Sequence, residues 1–277
     1  MAEIEEIQEE EETCEERSLN LLKDSKIDQE FSEAKARKRG ARKHKLKRMS
    51  RPMAIPQVIL ELLDHDLRED ALRSLSHFLI EKRKEDPENY HRAGYLFFNS
   101  CATMTILIQE ITNFFGKMAN ESLNIRSIKR LVNVLHLFQT VAANNETRQK
   151  FVDSAVPNFL IPLILYKNTI DHYDNLRAVS LSVIGILCQG RERQIIMWAV
   201  ENDMVEVCQT VIHTGSELSK VIAMHILESI MQDGFGLSYV CDGEHLLKGL
   251  METWDNLVSL SILQHHSDFW HQTSFPF

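Results

Sequence analysis

Behind the start signal Gly215-Ser216-Glu217-Leu218-Ser219-Lys220, Val221, Ile222, Met224, Ile226, Leu227, Ile230 and Met231 recur at helical spacing. That apolar set is too wide for one narrow stripe. A helix apolar on more than one side must be buried on more than one side, which places it inside a stack of helices. The segment runs on to Gly234-Phe235-Gly236-Leu237-Ser238-Tyr239-Val240-Cys241. There Gly234-Phe235-Gly236 reads as a helix-ending turn, because glycine tolerates the left-handed conformation such turns require.

The same layout occurs upstream. From Pro56 the pattern is helical almost without a break. Val58, Ile59, Leu62 and Leu63 form one short amphipathic face, and Ala71, Leu72, Leu75, Phe78 and Leu79 form another. A polar loop is expected from Lys82 to His91. Helices then read at about 100–115, 125–143, 146–154, 158–166, 176–188, 191–201, 205–213 and 219–232, with no period-2 alternation competing.

Two segments repeat when laid together. Asn145-Glu146-Thr147-Arg148-Gln149-Lys150-Phe151 leads to Val156-Pro157 and the apolar helix from Phe159. Roughly 47 residues later, Arg191-Glu192-Arg193-Gln194 leads through Trp198 to Met204-Val205 and another apolar helix. A period of about 40–47 residues with two or three helices per unit indicates armadillo or HEAT architecture. A short helix, a bend and two longer helices favour armadillo. The expected fold is all-α, an armadillo-repeat superhelix, since such units cannot bury their faces alone.

Charge divides the chain. Residues 1–51 hold 13 acids and 13 bases, so the whole net charge of −9 belongs to residues 52–277. Nine glutamates fall within the first 16 positions, followed by Lys35, Arg37, Lys38, Arg39, Arg42, Lys43, Lys45, Lys47 and Arg48. With few apolar residues, this segment cannot offset its ordering entropy and is expected to be a disordered charged arm. Three readings of the basic block stand open: a nuclear import signal, an RNA-contacting arm, or a solvated tail whose halves attract each other. The organisation expected is an arm at 1–51, a repeat domain at 52–241 and a divergent tail at 242–277.

Acidity of the folded part disfavours nucleic acid binding over a broad face. No apolar run reaches the length of about 18 residues that a membrane span needs. The glutamate-rich start excludes a secretory signal peptide. Five scattered cysteines, Cys14, Cys101, Cys188, Cys208 and Cys241, show no C-x-x-C spacing and suit a reducing cytoplasmic or nuclear home. Twelve histidines invite an enzyme reading, but no G-x-S-x-G, H-E-x-x-H, P-loop or dinucleotide fingerprint accompanies them. Asp64-His65-Asp66, read as helical, would point its side chains in different directions. His265, His266 and His271 lack cysteine or carboxylate ligands at familiar spacing. No catalytic residue, metal or cofactor is expected.

One set of residues resembles a specific family. It comprises Gln109-Glu110-Ile111, Asn145-Glu146-Thr147-Arg148, Phe159-Leu160-Ile161-Pro162, Leu176-Arg177 with Ser180-Leu181-Ser182-Val183-Ile184-Gly185, and the Gly215 to Lys220 and Gly236 to Cys241 stretches. In order and spacing, from about Pro56 to Cys241, they resemble the Rcd/Caf-type armadillo subunit of the CCR–NOT mRNA deadenylase complex, the cell-differentiation Rcd family. The resemblance implies a non-enzymatic adaptor that docks on the Not scaffold and recruits effector proteins for poly(A) shortening and translational repression. Affinity would come from apolar side chains entering shallow pockets between helices.

The sequence also departs from that pattern. Where the family usually reads Trp-His-Ser-Phe-Gly, this chain has Phe98-Asn99-Ser100-Cys101-Ala102. The implied scaffold face is then Asn99, Cys101, Thr105 and Thr112, the last three expected on one helical face, and it is smaller and more polar. Asp171-His172-Tyr173-Asp174 stands where a groove cation is implied, with Arg177 retained. Tyr239 and Glu244 remain at the implied effector pocket, Glu244 replacing an aromatic residue. Trp254 to Phe277 is expected to match nothing in the family. The repeat faces also allow a homodimer. Alternatives are an armadillo-type nuclear transport or transcription cofactor module, or a truncated non-functional form.

Overall fold

The computed structural model describes residues 55–100, 102–167 and 172–255, and every regular element among them is helical. The charged arm and its basic residues lie outside the described residues, as do His265, His266 and His271. The chain divides into two units, residues 1–58 and 59–277. Of the first, only Ile55-Pro56-Gln57-Val58 is described, the opening of helix α1 (Ile55–Glu61).

In the second unit, α2 (Arg68–Glu85) is followed by three triplets of helices. They are α3 (Pro87–Asn99), α4 (Thr103–Ala119) and α5 (Ile125–Ala143); α6 (Asn145–Asp153), α7 (Leu160–Leu165) and α8 (Tyr173–Gln189); and α9 (Arg193–Glu201), α10 (Met204–Thr214) and α11 (Glu217–Gln232). A 3-10 turn at Val156–Phe159 introduces α7. A fourth unit begins with α12 (Gly234–Asp242) and helical residues 244–255. The third helices form a ladder, α2 on α5, α5 on α8 and α8 on α11. First helices stack likewise, α3 on α6, α6 on α9 and α9 on α12, and α7 packs on α10. This is an all-α, armadillo-like superhelix.

The ladder is the core because its central helices, α5 and α8, are apolar over most of their surface. On α5, Leu131, Val134, Leu135, Leu137, Phe138 and Val141 are buried, and on α8 Leu176, Val179, Leu181, Val183, Ile184 and Leu187 are buried. Each such side chain contributes roughly 1.5–3 kcal/mol of burial. Helix α5 starts with a reciprocal cap: the Ser127 amide donates to Asn124 Oδ1 at 2.9 Å and the Asn124 amide to Ser127 Oγ at 3.1 Å.

The bend between first and second helices recurs. Ala102, Ala155 and Asp203 hold it in three successive triplets, with φ of 63°, 55° and 54°. Left-handed backbone costs a non-glycine residue about 1 kcal/mol. Its repetition at equivalent places marks a geometric demand of the repeat.

Glycine is used otherwise. None in the described residues has positive φ, so Gly234-Phe235-Gly236 is not a left-handed helix end. It opens α12 behind Asp233, whose Oδ1 accepts from the Phe235 and Gly236 amides at 2.9 and 3.3 Å. Gly236 permits close approach: a Cβ there would lie 2.1 Å from the Ile230 carbonyl oxygen. Gly94 does the same between α3 and α5, where a Cβ would lie 2.0 Å from the Thr140 oxygen.

Two further expectations need correction. The polar stretch 82–91 is helical apart from Asp86, which ends α2 and caps α3 by accepting from the Asn89 amide at 3.2 Å. Pro87 at the first helical position needs no partner for a missing N–H, so polarity here marks solvent exposure and not a loop. Asp64-His65-Asp66 is an exposed turn between α1 and α2 instead of a helical triplet. Its Asp66 amide donates to Asp64 Oδ1 at 2.9 Å.

The seam between α2 and α5 holds an imidazole. His136 of α5 is hydrogen-bonded through Nδ1 to Ser76 Oγ of α2 at 2.8 Å. Burial in that seam, with the nearby Arg83 charge, pushes its pKa down from 6.5 to about 4. The folded state therefore resists protonation that the unfolded state accepts. The contribution is fully present above pH 6.5 and is lost as pH falls toward 4. Urea unfolding of wild type and His136→Asn across this window should show the wild-type advantage shrinking as pH drops. A difference independent of pH would contradict the assignment.

Candidate interaction surface

The residues that carry the family resemblance are mostly structural pins. Glu110 on α4 is 6% exposed. It accepts from Arg130 Nε at 2.6 Å and Nη2 at 2.8 Å, a forked pairing between α4 and α5. Arg130 also donates from Nη1 to Glu69 Oε2 of α2 at 3.2 Å, and Arg68 Nη1 stands 3.6 Å from Glu110 Oε1. Arg126 forks onto Glu69 at 3.0 and 2.6 Å. Hydrogen bonding from Arg126 holds the Glu69 carboxyl below the usual carboxylate range against the opposing effect of burial. Three helices are thereby tied by one charged cluster.

Arg148 closes the end of α5. Its Nε donates to the Ala142 carbonyl at 2.8 Å, Nη2 to that of Ala143 at 3.1 Å, and Nη1 to Glu192 at 3.0 Å. Thr147 Oγ1 donates to the Val141 carbonyl at 2.7 Å, and the Asn144 side chain accepts from the Glu146 and Thr147 amides. Arg177 does the same for α7, donating to the carbonyls of Ile164 and Tyr166 at 2.9 Å each, while Nη1 engages Asp174. A guanidinium laid across a helix C-terminus satisfies carbonyls that have no partner within the helix. Arg177 is thus committed, as is Asp174; Asp171 lies outside the described residues. Tyr173 is buried, and its hydroxyl donates to the Leu163 carbonyl at 3.1 Å.

The outward face of α4 is free of such duties. Thr105 and Thr112 are exposed, and Thr112 Oγ1 donates back to the Ile108 carbonyl at 3.0 Å. Asn99, exposed at the end of α3, donates from Nδ2 to the Tyr95 carbonyl at 2.9 Å. Helix α4 begins at Thr103, after Ala102 in the left-handed bend. Cys101 lies outside the described residues, so the shared helical face is that of Thr105 and Thr112.

Tyr239, partly buried on α12, has its hydroxyl pKa raised by burial first, then by the charges of Glu206 and Asp203 at the start of α10. Glu244 is exposed where the next helical stretch begins. Tyr239 therefore faces an acidic setting. Cys188 and Cys208 are buried, and burial pushes the Cys188 thiol up to about 12 and Cys208 well above its ordinary value, leaving both as inert packing groups. Among the described residues no group of histidine, cysteine or carboxylate side chains could hold a metal ion, and no helix is long and apolar enough to cross a membrane.

Sequence reasoning missed the Glu69–Arg126–Arg130–Glu110 cluster. Its partners Arg126 and Glu69 lie 57 residues apart, so no local spacing announces them. The bond from Trp198 Nε1 to Asn158 Oδ1, 2.8 Å across 40 residues, escaped for the same reason.

A stacked triplet ladder whose charged residues pin helices together defines an all-α helical-repeat protein of the armadillo-like class. The sequence profile of the cell differentiation family, Rcd1-like, matches residues 58–272, and the chain belongs to that family. It is similar to the cell differentiation protein rcd1 of Schizosaccharomyces pombe, at 28% identity over 207 residues covering 75% of this chain and 70% of that one. It is also similar to protein CAF40 of Saccharomyces cerevisiae, at 31% identity over 154 residues covering 56% of this chain and 41% of that one. The family match continues past Cys241 to residue 272. Trp254 and the residues that follow it to 272 are therefore part of the likeness, contrary to the expectation that they match nothing.

Structural and surface roles separate by substitution. Glu110→Ala leaves Arg130 partly buried without its main partner and should cost about 2–4 kcal/mol in urea unfolding. Thr105→Asp and Thr112→Asp, on the open face, should change stability by no more than about 0.5 kcal/mol. Equal costs at the two kinds of site would contradict the division.

Proposed function

We propose that this chain is a non-enzymatic adaptor subunit of the CCR–NOT complex, which binds the Not scaffold and effector proteins in mRNA deadenylation, decay and translational repression. Membership of the Rcd1-like family over residues 58–272 carries the reading. Support comes also from the chemistry of the described side chains. The family's charged residues close helix ends and tie helices, and the described histidines His136 and His213 bond Ser76 and Thr253.

In this reading the scaffold meets the α4 face of Thr105 and Thr112, and Asn99 and Cys101 also take part in that contact. Its small polar side chains leave affinity to shape and to apolar groups contributed by the partner. Tyr239 and Glu244 mark the effector side, where the neighbouring carboxylates favour effectors with a basic flank. The basic arm, Lys35 to Arg48, serves nuclear import, giving the protein both cytoplasmic and nuclear locations.

Purified full-length protein should capture the recombinant helical segment of the Not scaffold. Thr105→Asp with Thr112→Asp should weaken that capture by more than about tenfold without loss of helicity. Changing Lys38, Arg39, Lys43 and Lys45 to alanine should abolish nuclear accumulation and spare the capture. A folded wild-type protein that fails to bind the scaffold would remove the chain from the complex and favour the nuclear transport or transcription cofactor reading.

A further inference from the structure

Helix α4 packs on α3 and α5 of its own triplet, yet its apolar side is not centred on its buried side. Ile106, Leu107, Ile111 and Phe114 are buried, while Met104, Ile108 and Phe115 are partly exposed. At about 100° per residue this apolar set spans roughly 200° of the helix and centres between Leu107 and Ile111. The buried set adds Thr103 and Glu110 to the four buried apolar residues and centres between Thr103 and Phe114. The helix is therefore rolled by roughly 50° from the seat that apolar burial alone would choose. The roll has two costs. Thr103 is fully buried, and its Oγ1 has no hydrogen-bond partner among the described residues. Met104, Ile108 and Phe115 keep part of their apolar surface in water.

The Glu110 carboxylate accounts for the roll. A buried charge is costly, and only a well-made pair offsets it. Both Glu110 oxygens are held by the Arg130 fork from α5, with Arg68 Nη1 of α2 standing 3.6 Å from Oε1. Arg130 is itself anchored on Glu69 of α2 at 3.2 Å. A planar two-point pairing is directional where apolar contact is not, so it fixes the rotation of α4 about its own axis. Thr105 and Thr112 lie roughly 140–160° round the helix from Glu110 and are turned outward by that rotation, with Ile108 beside Thr112. We infer that Glu110 and Arg130 are positioning residues for the partner face of α4: their fork holds Met104, Ile108 and Phe115 at the surface as an apolar edge beside Thr105 and Thr112, where an apolar partner helix can bury them. The inference rests on the proposed reading of that face as the scaffold contact.

Glu110→Met with Arg130→Met in the full-length protein removes the fork and keeps the space filled, so Tm should stay within about 3 °C of wild type. Capture of the Not scaffold segment should nevertheless weaken by more than about tenfold. A probe cysteine, Ile108→Cys, reports the roll without any partner. Its labelling by iodoacetamide, read by peptide mass spectrometry, should slow by more than about threefold in the double variant as that flank turns inward. Arg130→Lys keeps the charge without the fork and should move both readouts the same way; it carries the test if the double variant does not fold. Labelling that is unchanged when the fork is removed would overturn the lock, whatever the capture shows. Slowed labelling with wild-type capture would overturn its link to the partner face. If wild-type protein does not capture the scaffold, the adaptor reading falls, and the labelling alone decides whether the fork sets the rotation of α4.

Discussion

A helix apolar all round has nowhere to go but the middle, and that constraint governs this protein. Helix α5 touches α2, α3, α4, α6 and α8, and α8 and α11 repeat the role one and two triplets on. None of them could be stable alone, since the burial that offsets their ordering entropy comes entirely from neighbours. Stability is therefore a property of the ladder. The first and second helices are shorter, and they serve to return the chain to the next rung at a bend that tolerates only left-handed backbone.

Once apolar surface is committed to the ladder, polar groups must be satisfied where helices end. Three arginines do this in related ways. Arg68 reaches the Leu62 carbonyl, Arg148 those of Ala142 and Ala143, and Arg177 those of Ile164 and Tyr166. Charge-assisted bonds of this kind are worth about 1.5–3 kcal/mol each when part-buried. Their use inside the fold explains why an acidic domain retains these arginines. Thr105 and Thr112 of α4, small and polar, remain exposed.

The ladder was legible in the sequence because its signal is local. Apolar residues at helical spacing gave α5 its observed limits, 125–143, and the Asn145 to Phe151 and Arg191 to Gln194 segments gave the period. Glycine misled at Gly234-Phe235-Gly236: Gly236 is required by backbone contact with Ile230, and contact across a helix junction leaves no mark in spacing. Polarity misled at 82–91, where Asp86-Pro87, a cap and a first-turn residue, was the better guide. The cluster joining Glu69, Glu110, Arg126 and Arg130 depends on three helices meeting, which only the folded chain reveals. Thr105 and Thr112 share an open surface on α4, which begins at Thr103.

Native-state hydrogen exchange resolved along the chain measures the central claim most directly. If the third-helix ladder is the cooperative core, amides of α5 and α8 should exchange last and with a common free energy. Those of α4's outward turns and of 244–255 should open earlier. Protection that is uniform along the unit, or greatest in the first or second helices, would contradict a fold held by its ladder.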